Sequence, residues 1–335
     1  MNIVYSSSDL FSEITAVSII SLLKNNIGEN IHIYVINNGI KPKNQKRLKK
    51  LVCDYEQKLD FLPLPDIEKL VGRKINVGRW NISTFGRCFL CSIMPESVDK
   101  MLFIDADTIV RHSLSDIYNA DMRGKALLGV DDCRGGAYRR NIGLPSKHEY
   151  INCGFMVVDL KKWRELEIEQ ECIDFINEKN GDITYMDQGV LNGVLGNKNL
   201  IGLIPPRYNA QRLYFDFSYN DFIRLRKPSF HYKQADYERA INDPVLVHFT
   251  TCFFTGTRPW NKEDRHPFKK EFLEYKGLTP WGNDEFWPDD RKKAKKLMTT
   301  ISNILPKPVM IFVISVVHTK LYPMIRNIKM TKVKL

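Results

Sequence analysis

The chain has 335 residues, 43% of them apolar, enough to bury a sizeable core in one large α/β domain or two smaller ones. Its formal charge is +11, yet eleven Lys/Arg and no Asp/Glu fall between 291 and 335, so residues 1–290 carry 39 basic against 39 acidic side chains. A neutral body with a basic tail argues against a nucleic-acid-binding fold, which would carry its basic patch on the folded surface, and for an electrostatic anchor. Seven cysteines (53, 88, 91, 133, 153, 172, 252) form no paired framework, which suits a reducing compartment, and no signal peptide precedes the strand-like Asn2-Ile3-Val4-Tyr5.

In chain order, Asn2 to Ser6 reads as a strand, Ser6–Asp9 as a polar turn, and the stretch to Asn26 as an apolar helix. A strand at 31–36, a basic helix at 42–52 and a strand at 58–62 follow. This alternation predicts βαβ units and a mostly parallel sheet, with ligands at the carboxyl ends of the strands where strand order reverses. Neither G-x-G-x-x-G nor G-x-x-x-x-G-K-S/T follows the first strand, which weighs against a dinucleotide or ATP site. Residues 83–93 read as a helix capped by Ser83 or Thr84, with Arg87 beside its core face and Cys88 and Cys91 as small apolar residues.

The stretch Lys100–Val110, KMLFIDADTIV, is a buried strand that ends in two carboxylates. In extended backbone Asp105 and Asp107 point to the same side about 6–7 Å apart, so they repel unless a cation sits between them. A further strand near 126–130 runs into Asp131-Asp132 and a long Gly-rich, basic loop (134–150) suited to covering a substrate. Asn152-Cys153-Gly154 leads into a strand, Met186-Asp187-Gln188-Gly189 opens a short helix, and Val245–His248 is a strand ending in an imidazole. Thr257-Arg258-Pro259-Trp260 is a basic, aromatic turn, and the composition shift at 281–290 marks a boundary. It divides a catalytic unit, residues 1–280, from a basic C-terminal helical segment, 281–335. Within that segment VMIFVISVV has nine apolar residues where a spanning helix needs ~20, which favours an interfacial anchor on an anionic membrane surface.

Taken jointly and in order, NIVYSSSD, FGRCFL, MLFIDADTIVR, INCGFMVVDLKKWR, MDQGVLNGVL and VHFT…GTRPW resemble glycosyltransferase family 8, over roughly residues 1–265. The resemblance implies a single nucleotide-sugar-binding domain of the A type, Rossmann-like and α/β, and a retaining galactosyl- or glucosyltransferase. It implies a divalent cation, Mn²⁺ with Mg²⁺ as the alternative, on Asp105, Asp107 and His248. Ser6, Ser8 and Asp9 would hold the uridine, Arg87 would lie near the donor sugar, and Asn152, Asp187 and Gln188 would face the sugar and the reacting centre. Asp131 or Asp132 would stand beside them, and Gly256 and Arg258 would bind the diphosphate. The donor would be UDP-galactose or UDP-glucose and the acceptor a glycan or glycolipid of a lipopolysaccharide, polysaccharide or glycoprotein. The enzyme would act at the cytoplasmic face of the plasma membrane as a peripheral protein. Three departures stand out: Ser8 replaces a frequent carboxylate, the span from His248 to Gly256 is long, and Arg258 replaces a lysine. The rivals are nucleotidyl transfer on a similar fold and a membrane-attached scaffold that binds nucleotide-sugars without transfer.

Overall fold

The computed structural model describes residues 1–78, 80–251 and 256–325. Cys252 and the basic residues Arg326, Lys329, Lys332 and Lys334 lie outside the described residues. The strands are β1 (Asn2–Ser8), β2 (His32–Asn38), β3 (Lys58–Pro63), β4 (Lys100–Ile104), β5 (Thr108–Val110), β6 (Leu127–Asp131), β7 (Ile151–Asp159), β8 (Ile201–Leu203), β9 (Ala210–Gln211) and β10 (Leu246–His248). Seven of them form one sheet in the order β3-β2-β1-β4-β7-β6-β8, and β5-β10-β9 form a second, small one. In the large sheet only β7 runs antiparallel to its neighbours, so the predicted mostly parallel α/β architecture holds.

The large sheet is apolar on both faces because helices cover both. Along β4, Met101 and Phe103 join the cluster under one face, and Leu102 and Ile104 the cluster under the other. The chain leaves β1 toward β2 and β3, then returns to β4 on the opposite side of β1. The carboxyl ends of β1 and β4 therefore flank the point where strand order reverses, the usual crevice for a ligand.

The small sheet decides where the site residues meet. The helix Ser12–Lys24 lies between the two sheets, buried all round, with Ile14 and Val17 on one cluster and Ile19 and Ile20 on the other. Its hydroxyls are matched: Ser18 Oγ is 2.8 Å from Thr108 Oγ1, and Ser21 Oγ accepts from the Val110 amide at 2.9 Å. This anchors β5 directly after the Asp105–Asp107 turn.

Two expectations are corrected. Residues 83–93 do not form one helix: a 3₁₀ turn, Ile82–Cys88, capped by Asn81, is followed after Phe89 by a single turn, Leu90–Ile93. The break lets the buried Arg87 side chain point inward beneath Phe103 rather than run out to solvent. In the tail, the helix does not stop with the nine apolar residues. It runs from Lys307 to Ile325 through His318-Thr319-Lys320, 19 residues, long and apolar enough by length and composition to cross a membrane. The segment before it is stitched to the body: Trp281 is buried, the Trp287 indole donates to Glu13 at 2.8 Å, and the Trp287 carbonyl accepts from Asn261 Nδ2 at 3.1 Å.

Candidate active site

β10 pairs antiparallel with β5, and the register puts His248 opposite Thr108. The Phe249 amide donates to the Asp107 carbonyl at 2.9 Å, so the imidazole is held one residue from the second carboxylate. His248 Nε2 lies 3.2 Å from Asp107 Oδ1 and 3.7 Å from Asp105 Oδ2, and one ligand atom from each residue lies within 4.8 Å of the others. Adjacent ligands of a small divalent ion, bound at about 2.1 Å, stand about 3 Å apart, so this spacing fits one ion with little movement. Two carboxylates and one imidazole make a mixed O/N donor set suited to Mn²⁺.

The imidazole is oriented from behind. Its Nδ1 donates to Asn209 Oδ1 at 2.9 Å, and Asn209 Nδ2 donates to Asn152 Oδ1 at 2.8 Å, which fixes the amide so that its oxygen faces the ring. Nε2 is thereby aimed at the carboxylates, the arrangement an outer partner imposes on a ligand histidine. Gly154 makes room: a Cβ there would collide with His248 Cε1 and stand 2.6 Å from Nδ1. Burial lowers the pKa of His248, but Asp107 and Asp105 outweigh it and raise the value above the ordinary one. Burial works against ionised Asp107 too, yet His248 and Arg258 hold it far below the usual carboxylate range.

Two guanidiniums brace the acids. Arg87 donates from Nη2 to Asp105 at 2.8 Å and from Nη1 to the Cys153 carbonyl at 2.6 Å, and pairs through Nε with Asp187 at 3.0 Å. Burial pushes Asp187 up to about 6, with Arg87 opposing it. Arg258 reaches Asp107 at 3.1 Å and stacks on Trp260 with 5.2 Å to the ring centre. Three carboxylates thus face two guanidiniums and one imidazole whose proton a cation would displace. A local excess of one negative charge remains, which a divalent ion would offset.

Gln188 sits on the next side of the cleft, in the first turn of the helix Met186–Asn197. Its Oε1 accepts from Asn152 Nδ2 and the Cys153 amide at 3.3 and 3.4 Å, and its Nε2 donates to Asp132 Oδ2 at 3.2 Å. Asp132 is itself gripped by Arg134 (2.6 Å), Arg226 (3.4 Å) and Gln211 (3.3 Å). Burial would raise its pKa, but Arg134 and Arg226 keep it lowered. The two adjacent aspartates part company here: Asp131 turns away into a fully buried pair with Arg139 at 3.1 Å. A bulge between Gly129 and Val130 precedes them and re-aims the end of β6.

The structure therefore brings together Arg87, Asp105, Asp107, Asp132, Asn152, Asp187, Gln188, His248 and Arg258. Ser6 and Ser8 end β1 at the same edge, half-buried. Asp9 accepts instead from the Lys41 amide (2.9 Å) and Asn44 (2.8 Å) at the start of the helix Pro42–Cys53. Gly256 lies beneath the Arg291 side chain, where a Cβ would come within 3.0 Å of its Cζ. Sequence reasoning missed Asn209, Gln211, Arg226 and the role of Gly154. None carries a local motif, because each acts through a partner distant in the chain.

With the geometry in place, comparison with known proteins adds relatives. A sequence model of the family described as Glycosyl transferase family 8 matches residues 2–264. General stress protein A of Bacillus subtilis is 26% identical over 285 residues, 84% of this chain and 94% of that protein. A putative glycosyltransferase of Haemophilus influenzae is 30% identical across 62% of this chain and 63% of its own length. Lipopolysaccharide 1,2-glucosyltransferase of Escherichia coli K12 is 23% identical across 91% and 85%. Among solved structures, galactosyltransferase LgtC in complex with donor and acceptor sugar analogs superposes with a TM-score of 0.70 at 20% identity, covering 89% of this chain and all of that one, which is a likeness of fold.

Proposed function

The chain belongs to glycosyl transferase family 8, and we propose that it moves galactose or glucose from a UDP-sugar to a glycan acceptor of a cell-surface polysaccharide, lipopolysaccharide or glycoprotein, with retention of configuration. The observation that carries this reading is the convergence of Asp105, Asp107 and His248 on one point beside Gln188 at the carboxyl edge of the sheet.

Asp105, Asp107 and His248 would hold a divalent cation, Mn²⁺ or alternatively Mg²⁺, which would supply Lewis-acid stabilisation to the diphosphate leaving group. Arg258 grips the diphosphate as a fork, a role its contact with Asp107 and its stacking on Trp260 prepare. Arg87 keeps Asp105 and Asp187 apart and in place, and Asp187 and Asn152 bind sugar hydroxyls. Ser6 and the Ser8-Asp9 turn face the uridine. Gln188 presents its amide oxygen, oriented by Asp132, to the anomeric carbon. An amide is a poor nucleophile, so it stabilises positive character rather than forming a bond. Asp132, with its pKa held low by two arginines, is a weak base. The acceptor proton therefore passes to a departing phosphate oxygen on the same face as the incoming hydroxyl, which gives retention.

The catalytic unit spans residues 1–280, and the segment from 281 to 335 attaches it to the cytoplasmic leaflet. The test is UDP release from a panel of UDP-sugars with Mn²⁺ and no acceptor. Slow release from one hexose donor, lost in Asp105→Asn, is expected. Thermal stabilisation by UDP-sugars without release from any of them would instead mark a scaffold.

A further inference from the structure

Beside Gln188, guanidiniums outnumber carboxylates. Arg134, Arg139 and Arg226 pair with only two acids, Asp131 and Asp132, among the described residues. Arg139 is fully buried with Asp131 and donates besides to the carbonyls of Arg134 and His148, so its hydrogen bonds are made. Arg134 and Arg226 are left with Asp132 alone, a surplus of one positive charge.

Neither of these two guanidiniums has its full set of acceptors. Arg134, a quarter exposed, gives Nε to Asp132 at 2.6 Å and lies over Tyr138 with 5.0 Å to the ring centre; among the described residues no acceptor takes its two Nη groups. Arg226 ends the helix Tyr219–Arg226 and is 8% exposed. Its Nη2 reaches Asp132 only at 3.4 Å, and its buried Nε has no hydrogen-bond partner among the described residues. Burial and then the Arg134 charge push the Arg226 pKa below its ordinary value, and Asp132 does not offset them. A guanidinium cut off from water and short of acceptors is costly to the fold. His318 of the tail helix supplies no counter-charge: burial together with Arg134 and Arg226 takes its pKa down to about 3, so it is a neutral wall beside them. The helix is held there by the Pro323 carbonyl, which accepts from Asn141 Nδ2 at 3.1 Å, and by the Tyr322 ring, 6.3 Å from Tyr185.

The surplus stands within a sugar's reach of the reacting centre, because Gln188 Nε2 and Arg134 Nε share one oxygen, Asp132 Oδ2, at 3.2 and 2.6 Å. We propose that Arg134 and Arg226 form a subsite for an anionic group of the acceptor, a carboxylate or phosphate on the sugar that takes the new bond or on its neighbour, so that the acceptor is an acidic glycan. That the anion belongs to an acceptor rests on the transfer reading above; the anion site itself does not. A carboxylate or phosphate offers paired oxygens to the guanidinium fork, a match that neutral hydroxyls lack. Its charge offsets the surplus, and its oxygens supply the acceptors that Arg134 Nη and Arg226 Nε are without.

The full chain, saturated with Mg²⁺ and UDP so that the diphosphate site is filled, is titrated with methyl glucuronide, glucose-6-phosphate and methyl glucoside, with binding followed by ligand-observed NMR. At least one charged sugar should bind about tenfold or more tighter than the neutral glucoside, the factor that a charge-assisted hydrogen bond contributes, and the tighter of the two identifies the anionic group. In Arg134→Gln the preference should fall to within about twofold; Arg134→Lys, which keeps the charge and loses the fork, should retain part of it, and Arg258→Ala should leave it intact. Equal affinity for charged and neutral sugars, binding of none of them, a preference that persists in Arg134→Gln, or one that vanishes in Arg258→Ala overturns the proposal. With a productive UDP-sugar, the charged sugar should raise UDP release more than the glucoside does; stimulation no greater than the glucoside's overturns the acceptor assignment. Because the titration uses UDP and no donor, inactivity with every UDP-sugar counts against the transfer reading alone.

Discussion

Gly154→Ala tests whether the imidazole is placed for a metal or merely buried. The backbone tolerates alanine there, since Gly154 is not among the glycines with positive φ. The new Cβ, however, would stand 2.6 Å from His248 Nδ1, whereas nonbonded carbon contacts settle near ~3.5 Å, so the ring must recede by roughly 1 Å. The strand cannot carry it away, because β10 is paired to β5 on one side and β9 on the other. The ring must therefore rotate, which opens the 2.9 Å bond to Asn209 and the 3.2 and 3.7 Å spacings to Asp107 and Asp105. Loss of an orienting outer partner weakens metal binding by about 10–100-fold, and the overpacking itself costs ~1–3 kcal/mol of stability. The assay is Mn²⁺ titration followed by electron paramagnetic resonance, with UDP release at saturating Mn²⁺ as the second readout. Gly202→Ala is the control: its Cβ would crowd Leu128 at 2.5 Å in the edge pair β6–β8, so it should lose similar stability and keep its metal affinity. Mn²⁺ affinity within about twofold of the wild type in Gly154→Ala would show that His248 is not a ligand, a result far below the expected loss.

Three other outcomes follow from the same contacts. Arg258→Ala removes a charge-assisted grip worth ~1.5–3 kcal/mol, so the KM for donor should rise about 10–100-fold with the melting temperature nearly unchanged, and Arg258→Lys should recover part of it. Burial pushes Asp131 up to about 7 from an unfolded value near ~3.9, so the folded protein binds the extra proton and its stability falls as pH rises from about 4 to 7, by at most ~4 kcal/mol from this group. In urea unfolding at pH 4.5 and 7.5 (about these values), the stability advantage of wild type over Asp131→Asn should therefore shrink at the higher pH; an advantage that grows would reverse the sign of the argument. Trp163, fully buried with its indole donating to the Ala126 carbonyl at 3.2 Å, should cost ~3–5 kcal/mol when cut to alanine, read as a lowered urea midpoint with unchanged Mn²⁺ affinity per folded molecule.

How far the sequence could be read depends on the range over which each feature is encoded. Asp105 and Asp107 were legible because a strand repeats every two residues: once 101–104 is a strand, both carboxylates must share a side. The large sheet was legible for the same reason, as runs of apolar residues broken by helical spacing. His248 entered only through the resemblance, since nothing near 245–248 says that this strand pairs with the three residues after Asp107. That pairing arises because the buried helix Ser12–Lys24 matches its hydroxyls to Thr108 and Val110, contacts some ninety residues apart in sequence. Alternation alone sends Asp131 and Asp132 to opposite sides, but which of them faces Gln188 was not legible, because a bulge at Gly129/Val130 shifts the register. On an ideal helix Arg87 falls only beside the core face, and the 3₁₀ turn is what swings it inward to Asp105 and Asp187. The tail shows the opposite error. Composition stopped its apolar run at Val317, but a backbone already helical from Lys307 continues through His318-Thr319-Lys320, because the inner side of that turn lies against the body. Tertiary contact, rather than local hydrophobicity, set the length of that helix, and the same contact is what joins the basic tail to the segments bearing Gln188 and Asp132.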